Sequence, residues 1–403
     1  MSRSIAVRAV SAGLLAWAWA APPALGGAVD PALRFLENRV QQDPLDFIAQ
    51  NRLSAKCIDL LRETGDLSFL GRAAKAARAS LDSVPEDRNP GGLTALALTE
   101  FESHHFSQAL GMARRAYRID PRNLSALAIA GDAQLELGDY PEAKATYAKL
   151  AKSNKTAPPI VARLARLAEL GGDNPKAIAL LKSIPQEQAW FLLRLGEIYF
   201  RTGQLEAADT QYQAALKLAP ESAPALDHLA ELRGAQARYD ESIALYRKAI
   251  DKTPRAEYQQ ALGDLYAFMG KPDEAKPWHE RALAAYLESV GQGNAHYLHH
   301  LAGFYSDVRE NPAEALRWAR KDLEIRHSLY AYDTLAWTLY KSGQFAEARD
   351  AMKQALALGT QDAHMRYHAG LVYSRAGDLK QGQAYLKQAM AINPYYNAFH
   401  AHR

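Results

Sequence analysis

The chain repeats itself. Leu195-Gly196, Tyr199, Gly203, Ala208, Tyr212, Ala215 and Pro220 recur as Leu262-Gly263, Tyr266, Gly270, Ala275, His279 and Ala282. They recur again as Ala369-Gly370, Tyr373, Gly377, Gly382, Leu386, Ala389 and Pro394. A 34-residue frame gives unit starts near Pro90, Leu124, Pro158, Ala189, Ala223, Ala256, His296, Leu329 and Ala363, spaced 34, 34, 31, 34, 33, 40, 33 and 34 residues apart. A unit this short cannot bury an apolar face alone, so neighbours must stack and the fold must be an open-ended array. A length of 403 residues would otherwise point to two or three domains; here it counts repeats.

The spacing also assigns roles. Small residues at the eighth and twentieth places (Gly131/Ala143, Gly196/Ala208, Gly263/Ala275) let two antiparallel helices approach closely. The aromatic at the twenty-fourth (Tyr147, Tyr212, Tyr246) fills the gap to the next unit. Gly138-Asp139, Gly203-Gln204 and Gly343-Gln344 supply the left-handed turn that ends a first helix. Pro121, Pro220, Pro254 and Pro394 stop second helices. A degenerate unit pairing Asp46–Thr64 with Leu67–Val84 precedes the array, turning at Gly65-Asp66.

These residues resemble the tetratricopeptide repeat: a Leu-Gly pair, an aromatic three later, a turn glycine, small residues and a closing proline. The resemblance covers about Asp46 to Pro394. It implies an all-α fold, a right-handed superhelical solenoid of antiparallel helix pairs with one continuous core. The expected organisation is a signal peptide over 1–20, a linker and N-terminal cap over 21–45 with a short helix at Ala32–Gln42, about ten repeats over 46–394, and a tail over 395–403. Two departures stand out as candidate hinges or bends: the insertion around Ser289–Ala295, and His327, which replaces the closing proline of its repeat. The repeat that starts at Pro158 is short and carries Gly171-Gly172 with Pro175.

Arg3 and Arg8, an apolar stretch from Ala9 to Ala20 and the closing Ala18-Trp19-Ala20 follow the order of a secretory signal, with cleavage expected after Ala20. The stretch is shorter than a bilayer span, and Pro22-Pro23 and Gly26-Gly27 interrupt any extension. An Ala- and Arg-rich composition points to a bacterium, so the expected address is periplasmic or secreted. Removing Arg3 and Arg8 leaves 46 basic against 45 acidic residues, a balance that gives no general attraction to nucleic acid. A single cysteine, Cys57, excludes intramolecular disulfides and multi-cysteine metal sites. Cys57 falls at an apolar position with Leu53, Leu60 and Leu61 and reads as a buried small hydrophobe.

Motifs for phosphate binding, nucleophilic catalysis or His-Glu-x-x-His chemistry are absent from the sequence, so no cofactor and no catalytic residue is assigned. His296, His299 and His300, and the pair His364 and His368, are the best metal suspects, because an i,i+4 pair presents two imidazoles on one helix face. No third ligand lies at a local spacing. A metal-dependent enzyme or enzyme subunit using the His296/His300 region is the alternative to a binding protein. His400 and His402 read as a loose tail.

The resemblance also implies where a partner would sit, because places 2, 5, 9, 12 and 13 of each first helix line the concave groove. Those places hold Asp132, Glu136, Glu197, Asp227, Glu231, Glu257 and Asp264 through the middle repeats, with Arg166 and Arg201 as exceptions. Towards the C-terminus they hold Tyr297, Phe304, Tyr330, Trp337, Tyr340 and Tyr367, with Trp190, Phe200 and Phe268 further in. The expectation is an acidic mid-groove and an aromatic C-terminal groove that take a protein or peptide partner with a basic or apolar segment. The competing reading is that the aromatics pack between helices and the acids are solvated surface. Family members that grip acidic chaperone tails use a two-carboxylate clamp of Lys, Asn and Arg, and four repeats here carry Asp or Glu at place 9. The expected role is a non-catalytic scaffold or adaptor of the cell envelope, with a membrane-associated complex or self-association as further partner classes.

Overall fold

The computed structural model describes residues 30–185 and 187–400; the segment read as a signal lies outside them. The described residues form 21 α-helices and one 3-10 turn, with no strand. A short helix, α1 (Pro31–Gln42), precedes ten antiparallel pairs. The first five pairs are α2 (Phe47–Thr64) with α3 (Ser68–Ser83), α4 (Pro90–Glu102) with α5 (Phe106–Ile119), α6 (Leu124–Glu136) with α7 (Tyr140–Ser153), α8 (Pro158–Leu170) with α9 (Asn174–Lys182), and α10 (Ala189–Arg201) with α11 (Leu205–Leu218). The second five are α12 (Ala223–Ala235) with α13 (Tyr239–Lys252), α14 (Ala256–Phe268) with α15 (Pro272–Gly291), α16 (Leu298–Asp307) with α17 (Pro312–Leu323), α18 (Leu329–Lys341) with α19 (Phe345–Ala355), and α20 (Ala363–Arg375) with α21 (Leu379–Ile392).

Several pairs close around a small residue and a large one. The ring of Tyr212 lies against Gly196 so closely that a Cβ there would fall inside the ring's van der Waals envelope, and Tyr147 lies against Gly131 in the same way. Tyr147, Tyr212 and Tyr246 are all buried, at 1%, 1% and 0% exposure. Gly138 and Gly203 end first helices at φ of +77° and +73°, a conformation that a side chain would strain. The short repeat is visible as the nine-residue α9. The insertion after the seventh repeat is absorbed by a 20-residue α15, which runs on to Gly291.

The array winds tightly enough for successive superhelical turns to touch. The end of a first helix leaves carbonyls without intrahelical donors, and residues about 190 positions later in the chain supply them. Thr253 Oγ1 donates to Thr64 O at 3.2 Å, His327 N to Glu136 O at 3.0 Å, Thr360 Oγ1 to Leu170 O at 2.5 Å, and Asn393 Nδ2 to Phe200 O at 3.4 Å. With about 34 residues per repeat, one superhelical turn takes roughly five and a half repeats. Apolar contact reinforces the seam: Leu127, Tyr147 and Leu170 of the first turn share a core cluster with Leu329, Met352 and Val372 of the second.

His327 is therefore not a hinge. Its backbone N–H caps Glu136 across the seam, which a proline could not do. The C-terminal segment as far as His400 also differs from the loose tail expected of it; His402 lies outside the described residues. Phe399 is 2% exposed and packs with Ala230, Tyr246 and Leu262, and the His400 ring lies 4.9 Å from Phe200. Cys57 is fully buried beside Leu53, Ile58 and Leu61.

Candidate binding site in the superhelix interior

Because the turns touch, the concave face forms an interior rather than an open groove, and acids on it are held by basic residues of the same repeat or of the following one. Asp132 accepts from Arg163 Nη2 at 2.6 Å and from Tyr147 OH at 2.5 Å. Glu169 is bound by Arg166, Arg194 and Arg201. Burial alone would raise its pKa, yet the three guanidiniums hold the carboxyl at about 2. Glu197 pairs with Arg194 and, at 3.2 Å, with His228. Glu257 pairs with Arg255 and accepts from Tyr297 OH at 2.9 Å. Asp264 pairs with His279 at 2.8 Å. The expectation of an acid-lined groove with compensating bases elsewhere is thus corrected. The bases are interior too, because a buried carboxylate without a partner would be costly.

The expected aromatic groove also changes character. Tyr297 (4% exposed) and Phe304 (0%) belong to a core cluster with Tyr286 and Trp318. Phe200 is 4% exposed. Trp337 is half-buried, donates from Nε1 to Asp307 at 3.0 Å and stacks on His368 with ring centroids 4.2 Å apart. Tyr367 is half-buried, 5.6 Å from the Tyr396 ring. Phe268 remains 44% exposed, with its ring edge on Phe399.

Three of these residues, Glu197, Phe200 and Glu231, come together on one cavity of about 340 Å³ between the two turns. The wall from the first turn is α10, α11 and α12; the wall from the second is α18, α20 and the segment Asn393–His400. Asp132, Asp264, Phe268, Tyr297, Phe304, Trp337 and Tyr367 do not line it. Arg201, Tyr212, Tyr330 and Tyr396 line it as well, together with residues not assigned to the groove from the sequence: His228, Asp333, Asp362, His364, His368 and His400.

Histidine and carboxylate meet there in pairs. His228 Nε2 is 3.2 Å from Glu197, His368 Nδ1 is 3.1 Å from Asp333, and His400 Nδ1 is 3.9 Å from Glu231. Burial works against protonation of His228 and His368, but the hydrogen bond that His228 donates to Glu197 and the charge of Asp333 outweigh it, and both pKa values are raised. One sequence signal was available. Arg163, Arg194 and His228 all stand at place 6 of their repeats, facing place 9 or 12 of the repeat before. The inter-turn contacts, about 190 residues apart, had no comparable signal.

A second group of histidines meets between the α4–α5 turn and the eighth repeat. His104, at φ +63° in the turn between α4 and α5, is 3.0 Å from His296 Nδ1 through Nε2 and accepts from Arg326 through Nδ1 at 2.8 Å. His296 and His300 stack at 6.2 Å. Among the described residues no group of three or more His, Cys, Asp or Glu side chains could hold a metal ion.

Models of the tetratricopeptide repeat match residues 100–167, 189–222, 225–257, 255–296, 329–362 and 363–396. Similar curated proteins include tetratricopeptide repeat protein 8 of Caenorhabditis elegans, 32% identical over 90 residues, which are 22% of this chain and 18% of that protein. Another is the TPR repeat-containing protein YpiA of Bacillus subtilis, 21% identical over 241 residues, 57% of this chain and 54% of that one. The chain thus spans 18% to 54% of the length of these relatives. Among solved structures, a human IFIT1 dimer with PPP-AAAA is similar at 17% identity and TM-score 0.49, over 90% of this chain and 95% of that one. MamA is similar at 25% identity and TM-score 0.34, over 40% of this chain and 96% of that one.

Proposed function

Because this chain belongs to the tetratricopeptide-repeat family, whose models match more than half of its residues, we propose that it is a non-catalytic scaffold that binds a segment of a partner protein inside its superhelix. Repeat arrays of this kind present side chains from many units to one partner surface, and function must then be argued from the site itself. The observation that carries the reading is the inter-turn cavity of about 340 Å³, where Glu197, Phe200 and Glu231 meet aromatic and histidine side chains from repeats far apart in sequence. That volume is at the low end for ligand pockets, ~300–1,000 Å³. It accommodates side chains of a bound segment. We place the protein in the bacterial periplasm or cell envelope on the strength of the Arg3/Arg8 and Ala18-Trp19-Ala20 order at its N-terminus.

A photo-crosslinking residue at Tyr396, in the cavity wall, is expected to give discrete adducts in cells, whereas the same residue at exposed Lys217 on α11 gives none. Equal labelling at both positions, or none at Tyr396, overturns the reading. Mass measurement of the mature N-terminus tests the address: a chain that still begins at Met1 refutes cleavage after Ala20.

A further inference from the structure

Four carboxylates, Glu197, Glu231, Asp333 and Asp362, converge on the cavity. The lining supplies one guanidinium against them, Arg201, which is already engaged by Glu169 and lies 4.0 Å from Asp362. Arg194 reaches Glu197 from outside the lining. Among the described residues, imidazoles face three of the carboxylates: His228 on α12 faces Glu197, His368 on α20 faces Asp333, and His400 in the C-terminal segment faces Glu231. The other titratable side chains of the wall are Tyr212 on α11, Tyr330 on α18, His364 on α20 and Tyr396 in the C-terminal segment.

An imidazolium is a replaceable counter-ion near neutral pH, which a guanidinium is not. The aromatic faces of Phe200, Tyr212, Tyr330 and Tyr396 add the surface on which an organic cation is held in addition to its charge.

We propose that this cavity binds an organic cation, an ammonium or guanidinium group, which enters in exchange for protons on the histidines that face its carboxylates. The proposal rests on the reading of the cavity as a binding site, and it names the chemistry recognised there. Two consequences follow from linkage. At a pH where His228 and His368 are protonated they already compensate Glu197 and Asp333, so a cation binds weakly there and releases protons on binding. Above that range the rings are neutral, and the cation takes over the compensation. The raised pKa values of both histidines bring the exchange towards neutral pH.

Calorimetric titration of the full chain with agmatine and with putrescine, at pH 6 and pH 8 and in two buffers of different ionisation heat, tests this. The expected result is an affinity about tenfold higher at pH 8 for each displaced proton that titrates in that interval, with proton release at pH 6. N-acetylputrescine, which keeps one amine and loses the other, binds more weakly than putrescine.

His368→Gln keeps cation binding but flattens the pH dependence, an outcome that a purely structural role for His368 would not produce. Asp333→Asn lowers affinity at pH 8 at least tenfold, with helicity checked by circular dichroism. A peptide carrying one arginine separates the two sources of the same group: binding tighter than agmatine assigns the site to a partner's side chain, and weaker binding assigns it to a free amine. Absence of binding by both small cations and the peptide at millimolar concentration, or an affinity that is flat or falls from pH 6 to pH 8, overturns the proposal. If the cations fail while the Tyr396 crosslink succeeds, the cation chemistry is wrong and the scaffold reading stands; the reverse pattern removes the protein partner and leaves the cation site.

Discussion

Acidification is expected to loosen the seam between superhelical turns at His296. Its ring is packed against His104 from the α4–α5 turn, with Arg255 at 3.3 Å from Nε2. Burial, with Arg255 and Arg326 adding to it against the opposing pull of Glu257, lowers its pKa from 6.5 to about 4. His104 and His299 are lowered as well, first by burial and then by neighbouring rings and Arg326.

A histidine whose pKa is lower in the folded state withdraws stability as pH falls through its unfolded value near 6.5, and the loss is complete below the folded value. At pH 5 a ring lowered to about 4 costs about 2 kcal/mol as an upper bound, at ~1.4 kcal/mol per pKa unit. Solvent reaches the half-buried ring, so ~1–2 kcal/mol is the working figure.

Other groups act in the opposite sense. Asp322, raised by burial to about 6, and the raised His228 and His368 all favour the fold more as pH falls from 7.5 to 5. Comparison with His296→Gln cancels them. Urea denaturation at pH 7.5 and pH 5 is expected to show wild type losing ~1–2 kcal/mol more than the variant over that interval. Equal losses would refute the account of His296 as a neutral ring trapped beside arginines.

Three further outcomes follow from the packing. Gly196→Ala drives a methyl into the Tyr212 ring, and the overpacking exceeds the helix-propensity gain, so thermal unfolding should show a net loss of about 1–2 kcal/mol. His327→Pro, a change towards the repeat consensus, removes the donor to Glu136 O; it should cost about 1–3 kcal/mol and speed hydrogen exchange at the end of α6 and the start of α18. Cys57, fully buried and with its thiol pKa raised by that burial, should resist a thiol-reactive dye until the chain is unfolded.

The local architecture was legible without coordinates. Unit starts at Pro90, Leu124, Pro158, Ala189, Ala223, Ala256 and Ala363 coincide with the first residues of helices, because a repeat is defined by neighbours within about 34 residues. Turn glycines and the Gly/Tyr pairs are local for the same reason. The candidate site was only partly legible. Glu197, Phe200 and Glu231 were found by their register, whereas Tyr297 and Phe304, in the same register, are core. Register says which way a side chain leaves its helix, and has no information on what occupies the space it enters.

That space is settled by superhelical pitch. Pitch accumulates from a small rotation at every repeat interface, and no single motif encodes it. Here the accumulated rotation brings Leu170 to Thr360 and Phe200 to Asn393. It thereby turns an open groove into an interior, makes His327 a cap in place of a hinge, and gathers His228, Asp333, His368 and His400 around one cavity. Composition and repeat spacing determine that helices pair and stack. Contacts about 190 residues apart determine that the stack closes on itself, because only the folded chain adds those small rotations together.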